Sequence, residues 1–188
     1  MIGAITAGLF SGAGGGAGGT SFDSIYTSSL SSAQSSVTFS SIPSTYKHLQ
    51  IRAITRDGGA GVYNTYKVTY NGDTASNYSV HAMYGQNINS VDQFGNANQT
   101  GIIVYATPGA VASGIFGAQV IDILDYADTN KYKTQRSIGA VSENNDNNLV
   151  TVMSGSWRST SAISSITITC NGASFQQYSH FALYGIKG

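Results

Sequence analysis

Apolar residues recur along this chain in short runs of period two, broken by turn-forming residues. Leu49, Ile51 and Ala53 alternate with Gln50 and Arg52, and Tyr66, Val68 and Tyr70 alternate with Lys67 and Thr69. That period sets one face of each segment on a core and the other in water, as in a half-buried strand. Asn71-Gly72-Asp73 closes the second run with a strong turn signal. Further strands are expected at 37–42, ended by Pro43, at 101–105, ahead of Pro108, and at 137–141, 149–153, 163–170 and 180–186. Residues 118–124 form a longer apolar run, which predicts a central strand. Val120 and Ile123 point to opposite faces there, so burying both requires cover on each side. Asn171-Gly172 predicts a hairpin between the last two strands. One helix is expected over 74–84, where Val80, Met83 and Tyr84 fall at i, i+3 and i+4. The predicted core is Leu49, Ile51, Val68, Val120, Ile123, Val152, Ile166, Ile168, Phe181 and Leu183. Short strands at regular spacing, without alternating helices, predict an all-β fold, an antiparallel jelly-roll-like β-sandwich with an extended Gly-rich N-terminal arm.

The N-terminal pattern is different. Residues 1–10 are mostly apolar and 11–20 mostly Gly. No basic residues precede the apolar run, as they do in a signal peptide, and it is too short to cross a bilayer as a helix, so neither export nor membrane insertion is expected. Gly14-x-Gly16-x-x-Gly19 matches a dinucleotide fingerprint in form only. The motif needs a helix after it and an acidic residue about 20 positions on, and a Ser- and Thr-rich stretch follows instead. The chain therefore divides into an arm at 1–20, a Ser-rich linker or first strand at 21–34, and a sandwich domain at 35–188. Ile2, Ile5, Leu9 and Phe10 are the apolar residues that would dock the arm in an assembly.

Charge changes the picture more than hydrophobicity does. Hydrophobic residues make up 41% of the 188, enough for a packed core, but only 10% are charged, against about 25% in an ordinary soluble domain. Lys plus Arg is 9 and Asp plus Glu is 9, so the formal net charge is zero. A surface covered by Ser, Thr, Asn, Gln and Gly suits a protein packed against copies of itself or other subunits. The first Lys is Lys47 and no basic run exists, which argues against nucleic acid as a partner. The single Cys170 cannot form an internal disulfide.

Candidate chemistry is sparse. His48, His81 and His180 stand alone in sequence, with no metal-ligand spacing, and no cofactor motif is present. Asp122 and Asp125 flank an apolar pair, but a glycosidase needs two carboxylates across a cleft, which sequence cannot place. The polar cluster at 143–148 lacks the ordered spacing of a calcium loop and reads as solvated. The 12 Tyr outnumber 7 Phe and 1 Trp. Tyrosine offers apolar area with a hydrogen-bonding tip and suits adaptable contact surfaces. Sugar recognition combines such rings with amide groups, so the candidate glycan-contact residues are Tyr84, Asn87, Phe94, Asn96, Asn98, Asn145 and Asn147, while Trp157 is expected in the core.

Several short segments resemble a domain of tailed-bacteriophage virion structural proteins: Ile-Pro-Ser-Thr-Tyr-Lys-His-Leu-Gln-Ile-Arg at 42–52, Tyr-Asn-Gly-Asp at 70–73 with Ser-Asn-Tyr-Ser at 76–79 and His81, Val-Ile-Asp-Ile-Leu-Asp-Tyr-Ala at 120–127 with Asn-Lys-Tyr-Lys-Thr at 130–134, Trp157-Arg158 with Ala-Ile-Ser-Ser-Ile at 162–166, and Ser-His-Phe-Ala-Leu-Tyr-Gly-Ile-Lys at 179–187. The resemblance implies a tail-fibre or related attachment component of the virion, a homotrimer held among other virion proteins and exposing its sandwich to host-surface glycan. The alternative it implies is a head or tail decoration protein. It brings no catalytic residues, cofactor or metal with it. A glycan-cleaving tail enzyme is the third class.

Overall fold

The structure, a computed structural model, describes residues 21–61, 63–86, 90–143 and 148–188. Twelve strands run through the described residues: β1 (Phe22–Ser29), β2 (Ser36–Phe39), β3 (His48–Thr55), β4 (Asn64–Tyr70), β5 (Tyr78–Gln86), β6 (Ser90–Gln99), β7 (Ile102–Thr107), β8 (Gly117–Leu124), β9 (Lys133–Val141), β10 (Leu149–Trp157), β11 (Ile166–Cys170) and β12 (His180–Ile186). All neighbours pair antiparallel, in an eight-stranded sheet of order β1-β12-β3-β8-β9-β10-β5-β6 and a four-stranded sheet of order β2-β11-β4-β7.

The connectivity is that of a jelly roll with two insertions. β1 pairs with β12, β2 with β11, β3 with β8 and β4 with β7. These nested pairs are one long antiparallel hairpin rolled so that its strands fall alternately in two stacked sheets. The β5–β6 hairpin is inserted between β4 and β7, and the β9–β10 hairpin between β8 and β11. Both insertions join the same sheet: β9 pairs with β8, and β10 pairs with β5. The larger sheet is thereby twice as wide as the one stacked on it.

The core lies between the sheets. Leu49 and Ile51 of β3, Ile121 and Ile123 of β8 and Phe181 and Leu183 of β12 meet Phe39 of β2, Tyr66, Val68 and Tyr70 of β4, Ile102 of β7 and Ile166 and Ile168 of β11, all buried. Alternation fixes this, since each strand presents every second residue inward.

Three expectations need correction. Residues 74–84 form no helix; β5 starts at Tyr78, where alternation wins, with Val80 and Ala82 inward and Met83 exposed. Val120 and Val152 are not core residues but face outward, at 39% and 50% exposure, because no layer among the described residues covers the outer side of the wide sheet. Asn171-Gly172 is no hairpin turn, since β11 and β12 belong to different sheets. Residues 22–29 form the first strand, at one edge of the large sheet and paired along β12. The arm with Ile2, Ile5, Leu9 and Phe10 lies outside the described residues.

Candidate functional site: an aromatic ledge and an apolar sheet face

The inserted β5–β6 hairpin makes the first surface. β7, the edge of the small sheet, packs against β8, β9, β10 and β5, while β6 forms the far edge of the large sheet. Inward-facing residues of the hairpin near this edge are therefore only half covered. Tyr84 of β5 and Phe94 of β6 project on that side and are half-buried. Tyr105 of β7 meets them both: its ring lies 5.8 Å from Tyr84, nearly parallel at 10°, and 5.6 Å from Phe94. Tyr84 and Phe94 are 6.4 Å apart at 58°. Tyr63 packs on the adjoining small cluster around Val141 and Leu149 and donates to the Asn148 carbonyl at 3.1 Å. The Tyr84 hydroxyl donates to Asp92 at 3.3 Å; partial desolvation, then the Asp92 charge, raises its pKa above the usual tyrosine value. The result is a ledge of half-covered rings, apolar on their faces and polar at their tips.

Of the sequence-predicted contact residues, the fold brings Tyr84 and Phe94 together. Asn96 is exposed on β6 in register with Val80, on the Phe94 side of that strand. Asn98 is at the other end of β6, in a left-handed bulge, where its side chain accepts from Arg158 at 2.7 Å. Asn87, Asn145 and Asn147 lie outside the described residues. Tyr105 and Tyr63 were not among the predicted site residues, because only the packing of β7 beside β5 brings them there.

The second surface is the outer face of the wide sheet. Register aligns its residues into cross-strand rows. One row reads Ile54, Ala118, Ala140, Val150, Gly85, Val91, and the next Arg52, Val120, Ile138, Val152, Met83, Gln93. A third is polar: Gln50, Asp122, Arg136, Ser154, His81, Gly95. Ile138 is 61% exposed and Met83 56%. Two shallow hollows of about 740 and 430 Å3 indent this face, one beside Met83, Val91 and Val152 and one over Ile54, Val120 and Ile138. β9 is inverted: Lys133, Gln135 and Ser137 are buried while Ile138 is in solvent.

The carboxylates weighed in the sequence as a possible acid pair, Asp122 and Asp125, make structural contacts. Asp122 sits in the polar row, accepting from Arg136 at 2.9 Å and Gln50 at 2.8 Å. Asp125 is clamped by Lys131 and Lys47, which hold its pKa down to about 2; a group so firmly ionised is not poised to donate a proton near neutral pH. His81 lies on the exposed outer face, and His48 accepts from the Asp125 amide at 2.9 Å. Trp157 is buried, stacked on Tyr78 and donating to Asp73 at 2.7 Å.

The segments that carry the phage resemblance contribute Gln50, Arg52, His81, Val120 and Asp122 to the outer sheet face and also meet one another in the loops. Asn71 accepts from the Ser164 and Ser165 amides at 2.9 and 3.1 Å and donates to the Ala162 carbonyl at 2.8 Å. The Ile163 amide donates to the Tyr126 carbonyl at 2.9 Å, and the Tyr126 hydroxyl donates to the Pro43 carbonyl. No family model, curated protein or solved structure matches the chain.

Proposed function

We propose that this chain is a non-enzymatic structural protein of a tailed-phage virion, an attachment component whose jelly roll contacts neutral or weakly charged host-surface glycan at the Tyr84–Phe94–Tyr105 ledge. The ledge is the observation that carries this reading: three rings within 6.4 Å of one another, half-covered, with Asn96 two residues along β6 from Phe94 on the same side. Ring faces match the apolar faces of sugars, and amides match their hydroxyls. Zero net charge fits contact chemistry without long-range steering. The segments of phage resemblance support the virion setting through loop scaffolding. The decoration-protein reading is the second one, favoured by the exposed apolar sheet face, which suits a subunit buried among others.

The test is binding of the full chain to purified host envelope polysaccharide. Tyr84→Ala and Phe94→Ala should each weaken it about tenfold or more, on the scale of a lost ring contact of ~1.5 kcal/mol. Binding should change little between low and high salt, and no sugar should be released. Absence of binding by the assembled protein would leave the decoration reading. Release of oligosaccharide, abolished by Asp122→Asn or Asp125→Asn, would make the chain an enzyme.

A further inference from the structure

We infer that the outer face of the eight-stranded sheet is an interface between two copies of this chain, packed face to face about a two-fold axis near Ile138. The inverted strand is the first reason. β9 buries Lys133, Gln135 and Ser137 and turns Ile138 to solvent, and Val120 and Val152 flank it in register from β8 and β10. An apolar patch that runs unbroken across strands marks a contact surface.

Area is the second. The face spans six strands, from β3 to β6. At ~4.8 Å per strand and ~6.8 Å per outward row, three rows cover roughly 600 Å2 before side-chain relief. That is the scale of the ~800 Å2 per partner of a standard interface. One extended segment such as residues 1–20 would cover a strip only about one strand, ~5 Å, wide. A second copy of the same flat sheet covers the whole.

Charge is the third. Asp122 and Arg136 neutralise each other within the face at 2.9 Å. Arg52 is drawn over the rings of Phe22 and Tyr184, at 5.5 and 5.0 Å from their centroids. The face therefore carries one balanced pair and a single net charge, Arg52 near the β12 side, too little to select an oppositely charged partner. Two such sheets stack at ~10 Å, as in a sandwich, and the contact is isologous, each copy offering the same patch.

The experiment is the solution mass of the full chain by sedimentation equilibrium. The expected mass is twice the chain's 19.6 kDa. Ile138→Glu and Val152→Glu place a charge in the centre of the contact and should raise the dissociation constant at least about 100-fold. Because both side chains are exposed, circular dichroism and melting of the dissociated chain should stay those of a folded sandwich. Thr38→Glu, on the exposed side of the small sheet, should keep the two-chain mass. So should Tyr84→Ala and Phe94→Ala, so that loss of the dimer and loss of sugar binding are read on separate variants. A single-chain mass for the unsubstituted protein would overturn the inference. So would a three-chain mass, as the phage resemblance implies, or two-chain masses for both Glu variants. Dissociation on deleting residues 1–20 would overturn it too, by assigning the association to the arm.

Discussion

Tyr66 takes a hydroxyl into the core without a hydrogen-bond partner among the described residues. It is fully buried on β4, edge-on to Phe175 at 5.9 Å, and burial drives its pKa far above the ordinary tyrosine value. A buried hydroxyl left unpaired costs desolvation with no return. Tyr66→Phe should therefore raise stability by about 1 kcal/mol, read as a higher urea midpoint at unchanged slope; a loss would mean that the hydroxyl has a partner. Asp57 is the opposite case. Its buried carboxylate accepts from Asn64 at 3.1 Å, from the Gly59 amide and from the Cys170 thiol at 3.1 Å, and burial with that bond pushes the thiol pKa up to about 11. Asp125 sets the acid behaviour. Lys131 and Lys47 hold its pKa at about 2, below the ~3.9 of an unfolded Asp. Its contribution to stability is present above the unfolded value and is lost as pH falls through the folded one. Asp125→Asn, which also tolerates the left-handed backbone there (φ 47°), should flatten the stability profile between roughly pH 5 and 2, measured by urea melts across that range. Asp73 and Asp128, also lowered by their hydrogen bonds, should leave part of the acid limb in place. An unchanged limb would mean that the lysine clamp contributes nothing.

Strands of the rolled hairpin were legible because alternation is enforced where two sheets press together: β3, β4, β8, β11 and β12 each fall on an expected run. The inserted strands were harder for stated reasons. β6 is polar along almost its whole length and owes its conformation to pairing with β5. In β5, Val80, Met83 and Tyr84 coincide with helical spacing, yet Val80 and Tyr84 face inward and Met83 outward, as period two requires. β9 was found but its faces were not, since Lys133 is buried by donating to the Asp128, Lys131 and Thr160 carbonyls, and sequence shows no such partners. The ledge was half legible. Tyr84 and Phe94 could be proposed as rings near amides, but Tyr105 joins them only because β7 lies beside β5. That approach depends in part on Gly155 of β10, where an added Cβ would come within 2.6 Å of Ile102.

On the scale of the described molecule, the jelly roll ties its first and last strands, β1 and β12, into one cooperative unit, and its two inserted hairpins contribute to both candidate surfaces. β12 lies between β1 and β3, and its Phe181 and Leu183 are fully buried against both sheets. Strands far apart in sequence must therefore pair before the core closes, and such topologies fold in roughly milliseconds to seconds. Loss of β12 removes two core side chains, each worth ~2–5 kcal/mol, together with the pairing partner of two strands, an amount comparable with the whole ~5–15 kcal/mol of stability that a domain of this size holds. A chain lacking residues 180–188 should show no cooperative thermal transition and no near-ultraviolet dichroism from Trp157, which is buried at the far side of the same core. A chain lacking residues 1–20 retains β1 from Phe22 onward and should keep both signals. A sharp transition in the C-terminal truncation would place β12 outside the folding unit and break the account of the sandwich as one rolled hairpin.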